Sequence, residues 1–256
     1  MTPLLEVAGL SQRFGGLQAL TDFSFQLPER ELAGLIGPNG AGKTTVFNIV
    51  SGFYKPTAGG IVFDGRRING LKPHQITALG MARTFQNIRL WNDLTVLDNL
   101  RLAHYHRLGY GFWSAVLRAP RYRRAERDIE THARDVLAMM KLTDCANELP
   151  KNLPYGLQRR VELARALASK PRLLLLDEPA AGLNSADVDE LIRLIAWIHG
   201  EFKLTIWMIE HQMKVVMALC RHLTVVDFGR VIAAGAPEEI RNHPQVIKAY
   251  LGDEAV

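Results

Sequence analysis

The chain has 256 residues, 48% of them hydrophobic, enough to bury one core with an inserted lobe. No apolar run approaches the roughly 18 residues that a spanning helix needs, and the opening MTPLLEVAGLSQRFG lacks the basic start and clean apolar stretch of a secretion signal; a membrane-crossing chain is excluded and a cytosolic location is expected. The net charge of +5 is local, because residues 101–127 hold seven arginines against one acid, Glu126, a segment suited to phosphate or lipid headgroups and equally to a solvated helical hairpin.

In chain order, LLEVAGL, FSFQL and ELAGLIG read as strands, followed by a helix from about Lys43 to Gly52 and a further strand in GGIVFDGRRI. From about 87 to 168 no convincing strand occurs. TVLDNLRLAHY, RRAERDIETHARDVLAMMKL and LQRRVELARALA carry helical periodicity instead, so 87–168 is expected to be a helical subdomain inserted into a single domain covering 1–256. LLLLD at 173–177, LTIWMIE and LTVVDFGRVIAAG then alternate with helices.

LLLLD and TIWMI are nearly continuous apolar runs, as in parallel strands covered on both faces, whereas the early runs are mixed, as in antiparallel strands with one wet face. The expected class is therefore α/β, with a mixed-sheet core, an antiparallel β subdomain and the helical insertion. In the helix after Asn184, the residues Val188, Leu191, Ile192, Ile195 and Ile198 share one face, and Asn184 or Ser185 would cap it. Cys145 and Cys220 have no C-x-x-C or histidine spacing beside them, so free thiols are expected.

GPNGAGKTT, residues 37–45, follows an apolar strand and opens a helix, the context that gives a G-x-x-x-x-G-K-[ST] string its meaning. Gly37, Gly40 and Gly42, with Pro38, Asn39 and Ala41 between them, let the backbone curl with its N–H groups inward, and the helix start adds a positive dipole end where phosphates lie. Lys43 is expected to reach the β- and γ-phosphates, Thr44 to ligate Mg²⁺, and Thr45 to donate to the α-phosphate. LLLLDEP adds an acidic strand end: Asp177 is placed to hold Mg²⁺ through water and Glu178 to deprotonate the attacking water. Together they indicate a P-loop NTPase with a RecA-like core that uses ATP and Mg²⁺.

The P-loop at 37, FQN at 85–87, PYGLQRR at 154–160, LDEP at 176–179 and a strand ending before His211 occur in the order found in ATP-binding subunits of ABC transporters, which the chain resembles over about residues 4–251. The resemblance implies that Phe14 stacks on adenine, that Gln86 contacts Mg²⁺ and lies near a transmembrane partner, and that His211 steadies the γ-phosphate. ARTFQNIRLWNDLTVLDNL, YGLQRRVELARAL, LDEPAAGLN and IEHQMKVV resemble the subfamily serving branched-chain amino acid uptake, with urea and amide importers as similar alternatives. Asn184, where the family commonly has Asp, fits that variant.

In the family, a Leu-Ser-Gly-Gly-Gln loop of one subunit closes over the ATP held by the other. Here the stretch is Leu153, Pro154, Tyr155, Gly156, Leu157, and Pro154 has neither a hydroxyl nor a backbone N–H. Tyr155, the Gly156 N–H, Gln158 and the positive end of a helix starting near Leu157 remain to meet the nucleotide. A heterodimer with a different ATP-binding subunit is thus favoured over a homodimer. The resemblance further implies two transmembrane permease subunits, a periplasmic solute-binding protein acting indirectly, and a peripheral position on the cytoplasmic face of the membrane. A soluble ATPase of this fold acting on nucleic acid is the alternative; such proteins usually carry tandem ATPase units or a long coiled coil, which are not found here, so no nucleic-acid partner is expected. A P-loop kinase would leave FQN, YGLQRR and His211 without a role.

Overall fold

The computed structural model describes residues 3–105 and 110–251, so Arg107 of the arginine-rich segment lies outside the described residues. The chain divides into two compact units, one made of the chain up to Ile76 together with the chain from Arg172 onward, the other of Thr77–Pro171. The segment 87–168, expected to be helical, lies inside the second.

In the first unit β1 (Leu5–Phe14), β2 (Leu17–Leu27), β4 (Ala58–Phe63) and β5 (Arg66–Arg67) form an antiparallel sheet in the order β2-β1-β4-β5. β3 (Leu32–Ile36), β7 (Leu173–Asp177), β8 (Thr205–Ile209), β9 (His222–Asp227) and β10 (Arg230–Gly235) follow the order β10-β9-β3-β8-β7. β3 runs parallel to both β8 and β9, β7 runs parallel to β8, and only β10 turns back, pairing antiparallel with β9. Every residue of β3, β7 and β8 is buried, while β1 and β2 alternate buried and exposed positions; the apolar runs and the mixed runs thus sit where their hydropathy dictates.

Helices α7 (Ser185–Glu201) and α8 (Met213–Leu219) connect β7 to β8 and β8 to β9, parallel strands of one sheet that need crossovers, while α1 (Lys43–Val50) follows β3 and leads to β4. Asn184 is the cap of α7, its side chain accepting from the N–H groups of Ala186 and Asp187 at 3.0 Å each. Val188, Leu191, Ile195 and Ile198 are buried beneath it, and Ile192, expected on that face, is half-buried at its margin. Trp207 of β8 is fully buried and stacks on Phe25 of β2, ring centroids 4.4 Å apart, with Phe47 of α1 at 5.0 Å. One ring therefore joins both sheets and the helix that follows the glycine loop; such contacts contribute about 0.5–1.5 kcal/mol each beyond the area they bury. Both cysteines are free thiols, and burial pushes that of Cys220 up to about 12, which leaves it inert at neutral pH.

The chain leaves this unit within α2 (Pro73–Ala78). The second unit holds a short strand β6 (Met81–Arg83) and helices α3 (Val96–His104), α4 (Phe112–Val116), α5 (Pro120–Met139) and α6 (Tyr155–Ala168). Its core is the contact of α3, α5 and α6 through Val96, Leu100, Ile129, Val136, Leu163 and Leu167. Asn99 of α3 is fully buried and pins the preceding loop: its amide donates to the Trp91 and Thr95 carbonyls at 3.0 Å and its oxygen accepts from the Trp91 N–H at 2.9 Å. No helix among the described residues is long and apolar enough to cross a membrane.

Candidate active site

The candidate residues fall into two groups, one in each unit. In the first unit the parallel register brings Leu35, Ile209 and Asp177 level with one another, so the loops leaving β3, β7 and β8 emerge side by side at the carboxyl end of the sheet, where α/β sheets bind their ligands.

The loop after β3 can take its path only with glycine at two positions. Gly37 has φ 151° and a Cβ there would lie 2.0 Å from the Val226 carbonyl oxygen; Gly42 has φ 103° and a Cβ would lie 2.8 Å from that of Ala19. The Gly229 N–H donates to the Ala41 carbonyl at 2.9 Å and fixes the loop from behind. Lys43, the first residue of α1, is buried, and its ammonium donates to the carbonyls of Gly37 at 2.7 Å and Pro38 at 2.8 Å. Burial lowers its pKa below the ordinary lysine range, with the charges of Glu178 and Asp177 pulling the other way.

An open cleft of about 400 Å³ is lined by Asn39, Gly40, Ala41, Gly42, Lys43, Thr44 and Thr45 from this loop, by Glu178 and by Phe14, within the size range of ligand sites. Phe14 is half-exposed there and its ring meets Tyr54 edge-to-face at 5.3 Å. Pro38 lies on a neighbouring depression instead. Asp177 is buried at the end of β7. Glu178 takes φ 46°, a left-handed conformation uncommon for a non-glycine residue and found at functional sites, and its N–H donates to the Ile209 carbonyl at 2.9 Å. The Nδ1 atom of His211 is 3.6 Å from the Glu178 carboxylate.

Glu210 was not singled out by the sequence, although it precedes His211. Fully buried, it accepts from the Ala180 N–H at 2.8 Å through one oxygen, and through the other from the His211 and Gln212 N–H groups at 3.0 and 3.2 Å. The Gln212 side chain returns a bond to the Ala180 carbonyl at 3.1 Å. The loops carrying Glu178 and His211 are thereby fastened to each other.

In the second unit Gln86, Tyr155, Gly156 and Gln158 share one end. α6 starts at Tyr155 with Pro154 as its cap, two residues earlier than the expected start near Leu157. The extended ψ of 149° at Pro154 lets its carbonyl accept the Gln158 N–H at 3.0 Å, so Tyr155, Gly156 and Leu157 supply the first-turn amides that a helix cannot bond internally. The Gln158 side chain folds back onto the Leu153 carbonyl at 2.8 Å.

A buried ion pair links this helix to the Gln86 loop, and again no local sequence signal marked it. Arg159 and Glu162, 2% and 1% exposed, meet at 2.7 Å. Arg159 also donates to the carbonyls of Phe85 and Gln86, each at 2.9 Å, while Glu162 accepts from the Phe85 and Arg89 N–H groups at 3.5 and 3.4 Å.

Residues 20–181 match the family model described as ABC transporter, and residues 230–256 match one described as branched-chain amino acid ATP-binding cassette transporter. The chain is 47% identical over 251 residues, 98% of each chain, to a high-affinity branched-chain amino acid transport ATP-binding protein of Pseudomonas aeruginosa, and 49% identical over the same share to one of Salmonella typhimurium. It is 31% identical, over 98% of each chain, to the lipopolysaccharide export system ATP-binding protein of Haemophilus influenzae. Among solved structures, a nucleotide-free ATP-binding cassette from an ABC transporter superimposes with a TM-score of 0.84 at 27% identity, covering 98% of this chain and all of that one. A dimeric cassette in a post-hydrolysis state with ADP and phosphate gives 0.75 at 25% identity over 91% of this chain and 98% of that one. With a family model spanning most of its length and relatives near half identity end to end, the chain belongs to the ATP-binding cassette family of ABC transporters.

Proposed function

We propose that this chain is the ATP-binding and ATP-hydrolysing subunit of an importer for branched-chain amino acids, held at the cytoplasmic face of the membrane by two transmembrane permease subunits and paired with a second ATP-binding subunit. The observation that supports the chemistry best is the convergence of Lys43, Thr44 and Glu178 on one cleft, with the cation of Lys43 biased by Asp177 and Glu178. The near-half identity to two branched-chain amino acid transport proteins supports the cargo.

In this reading the glycine loop cradles the triphosphate on its N–H groups and Lys43 exchanges its carbonyl partners for β- and γ-phosphate oxygens. Phe14 provides a face for the adenine. Within the first unit the Thr44 hydroxyl and Asp177 would hold Mg²⁺, an ion that would supply charge neutralisation for the phosphates. Thr44 lines the cleft and Asp177 is buried at the strand end just before Glu178, which lines it too, and both are oxygen donors of the kind Mg²⁺ takes. Glu178 takes the proton of the attacking water, and His211 holds the γ-phosphate beside it.

Reconstitution of the chain with its cognate permeases in proteoliposomes is expected to give ATP-dependent leucine uptake. Uptake of urea or an amide in its place would transfer the cargo assignment to the neighbouring importer class.

Pro154 has no hydroxyl to donate to the facing nucleotide, and such a bond to a charged oxygen contributes about 1.5–3 kcal/mol. A different subunit with an intact serine loop would complete the site of this chain. Pro154→Ser is expected to act twice: as a helix cap it stabilises the fold by about 1 kcal/mol, and as a donor it strengthens ATP-driven self-association of the isolated chain about tenfold or more. Thermal melting and size exclusion with ATP measure the two effects separately. Unchanged self-association would remove the serine-loop argument for a heterodimer.

A further inference from the structure

No described residue of the arginine-rich segment lines the cleft, and its structure has two features that its charge alone does not reveal. First, α4 buries none of its large apolar side chains: Phe112, Trp113 and Leu117 just after it are 73%, 73% and 75% exposed, and Val116 is exposed beside them. Phe112 and Trp113 meet edge-to-face at 5.3 Å, forming one apolar knob, while the small residues Ser114 and Ala115 are the half-buried ones. Arg118, at φ 46° in the left-handed region, closes α4 and Pro120 opens α5 directly after it.

Second, the charge beside this knob is of one sign. Arg118, Arg121, Arg123, Arg124 and Arg127 are all exposed. Glu126, the one acid of the segment, is turned inward: its carboxylate accepts from the Tyr110 hydroxyl at 2.5 Å, from the Tyr105 hydroxyl at 3.1 Å and from the Arg101 guanidinium at 3.2 Å. The next acid, Asp128, is exposed and directly follows Arg127. Five exposed cations against one exposed acid thus follow an aromatic and aliphatic projection in the chain, while Glu126 is held by its own partners.

We propose that α4 and the start of α5 form a docking surface for an anionic phospholipid bilayer. Indole and phenyl rings partition to the interface, aliphatic side chains insert among acyl chains, and arginines pair with headgroup phosphates. A single-stranded nucleic acid would use the rings and the arginines but has no use for Val116 and Leu117. A second protein would use the apolar knob but gains nothing from an excess of five cations over one acid.

Flotation of the purified full chain, without permeases, tests the surface. The chain should float with vesicles containing phosphatidylglycerol at low salt and stay down with phosphatidylcholine vesicles. Arg123→Gln with Arg124→Gln should lower partitioning about fivefold for each arginine, and Phe112→Ser with Trp113→Ser and Leu117→Ser by about tenfold or more. All five side chains are exposed, so thermal midpoint and ATP binding should be unchanged in both variants. Absence of flotation with phosphatidylglycerol vesicles overturns the proposal, and so does undiminished flotation of the triple apolar variant. Displacement of the vesicles by single-stranded oligonucleotide, or an apolar knob that serves only to self-associate the chain on size exclusion, would assign the surface to those partners instead. Nucleotide binding with no vesicle binding would leave the transport reading standing and remove this surface alone.

Discussion

Glu178→Gln should bind ATP as the unmodified chain does and turn it over about 10²–10⁴-fold more slowly, the range that a positioned general base contributes. Gln matches Glu in shape and keeps the left-handed backbone of residue 178 no more strained than before, so the loop fastened by Glu210 is not disturbed. What disappears is the proton acceptor 3.6 Å from His211. A second effect has a definite sign. The Glu178 charge raises the pKa of Lys43 against the lowering by burial, so its neutralisation lowers that pKa further, and the alkaline limit of ATP binding should move to lower pH. Single-turnover hydrolysis in the reconstituted complex, with equilibrium binding followed across pH, reads both effects. Full turnover in the variant would remove Glu178 from the chemistry.

Arg159→Ala should cost about 3–5 kcal/mol of stability, because it leaves the Glu162 carboxylate, 1% exposed, without its partner in a low-dielectric interior. The carbonyls of Phe85 and Gln86 lose their donor as well. Loss of stability alone would be expected of any buried pair, so the informative variant is the double one, Arg159→Met with Glu162→Leu. Replacing both members with apolar groups of similar volume is often neutral or stabilising, so the melting midpoint should return toward that of the parent. ATP hydrolysis in the complex should not return with it, because the bonds from residue 159 to the Phe85 and Gln86 carbonyls are not restored. If the double variant recovers both stability and hydrolysis, the pair serves the fold only.

The glycine loop, Lys43, Asp177 and Glu178 were legible from sequence because their chemistry is local: strand, turn and helix start follow one another within a few residues. The buried strands were legible for the same reason, their unbroken apolar runs requiring cover on both faces. Arg159 was not, since the carbonyls it holds lie 73 and 74 residues earlier, and separations of that size leave no periodic trace. Glu210 escaped notice because its partners are two backbone loops, whose N–H groups carry no sequence signature. The expected start of α6 near Leu157 lies two residues late, because the fixed φ of Pro154 is compatible with the cap position before Tyr155. α4 lies in the segment expected to be helical, but its own bounds leave no periodic trace, because five residues with their apolar side chains outward show no buried face.

Fastening two loops to one buried carboxylate has a mechanical consequence. The residue proposed to activate water and the residue proposed to sense the terminal phosphate cannot drift apart, so the corner of the sheet that bears them behaves as one part with one set position. With those proposed roles, any signal that shifts this corner would switch both duties in the same stroke.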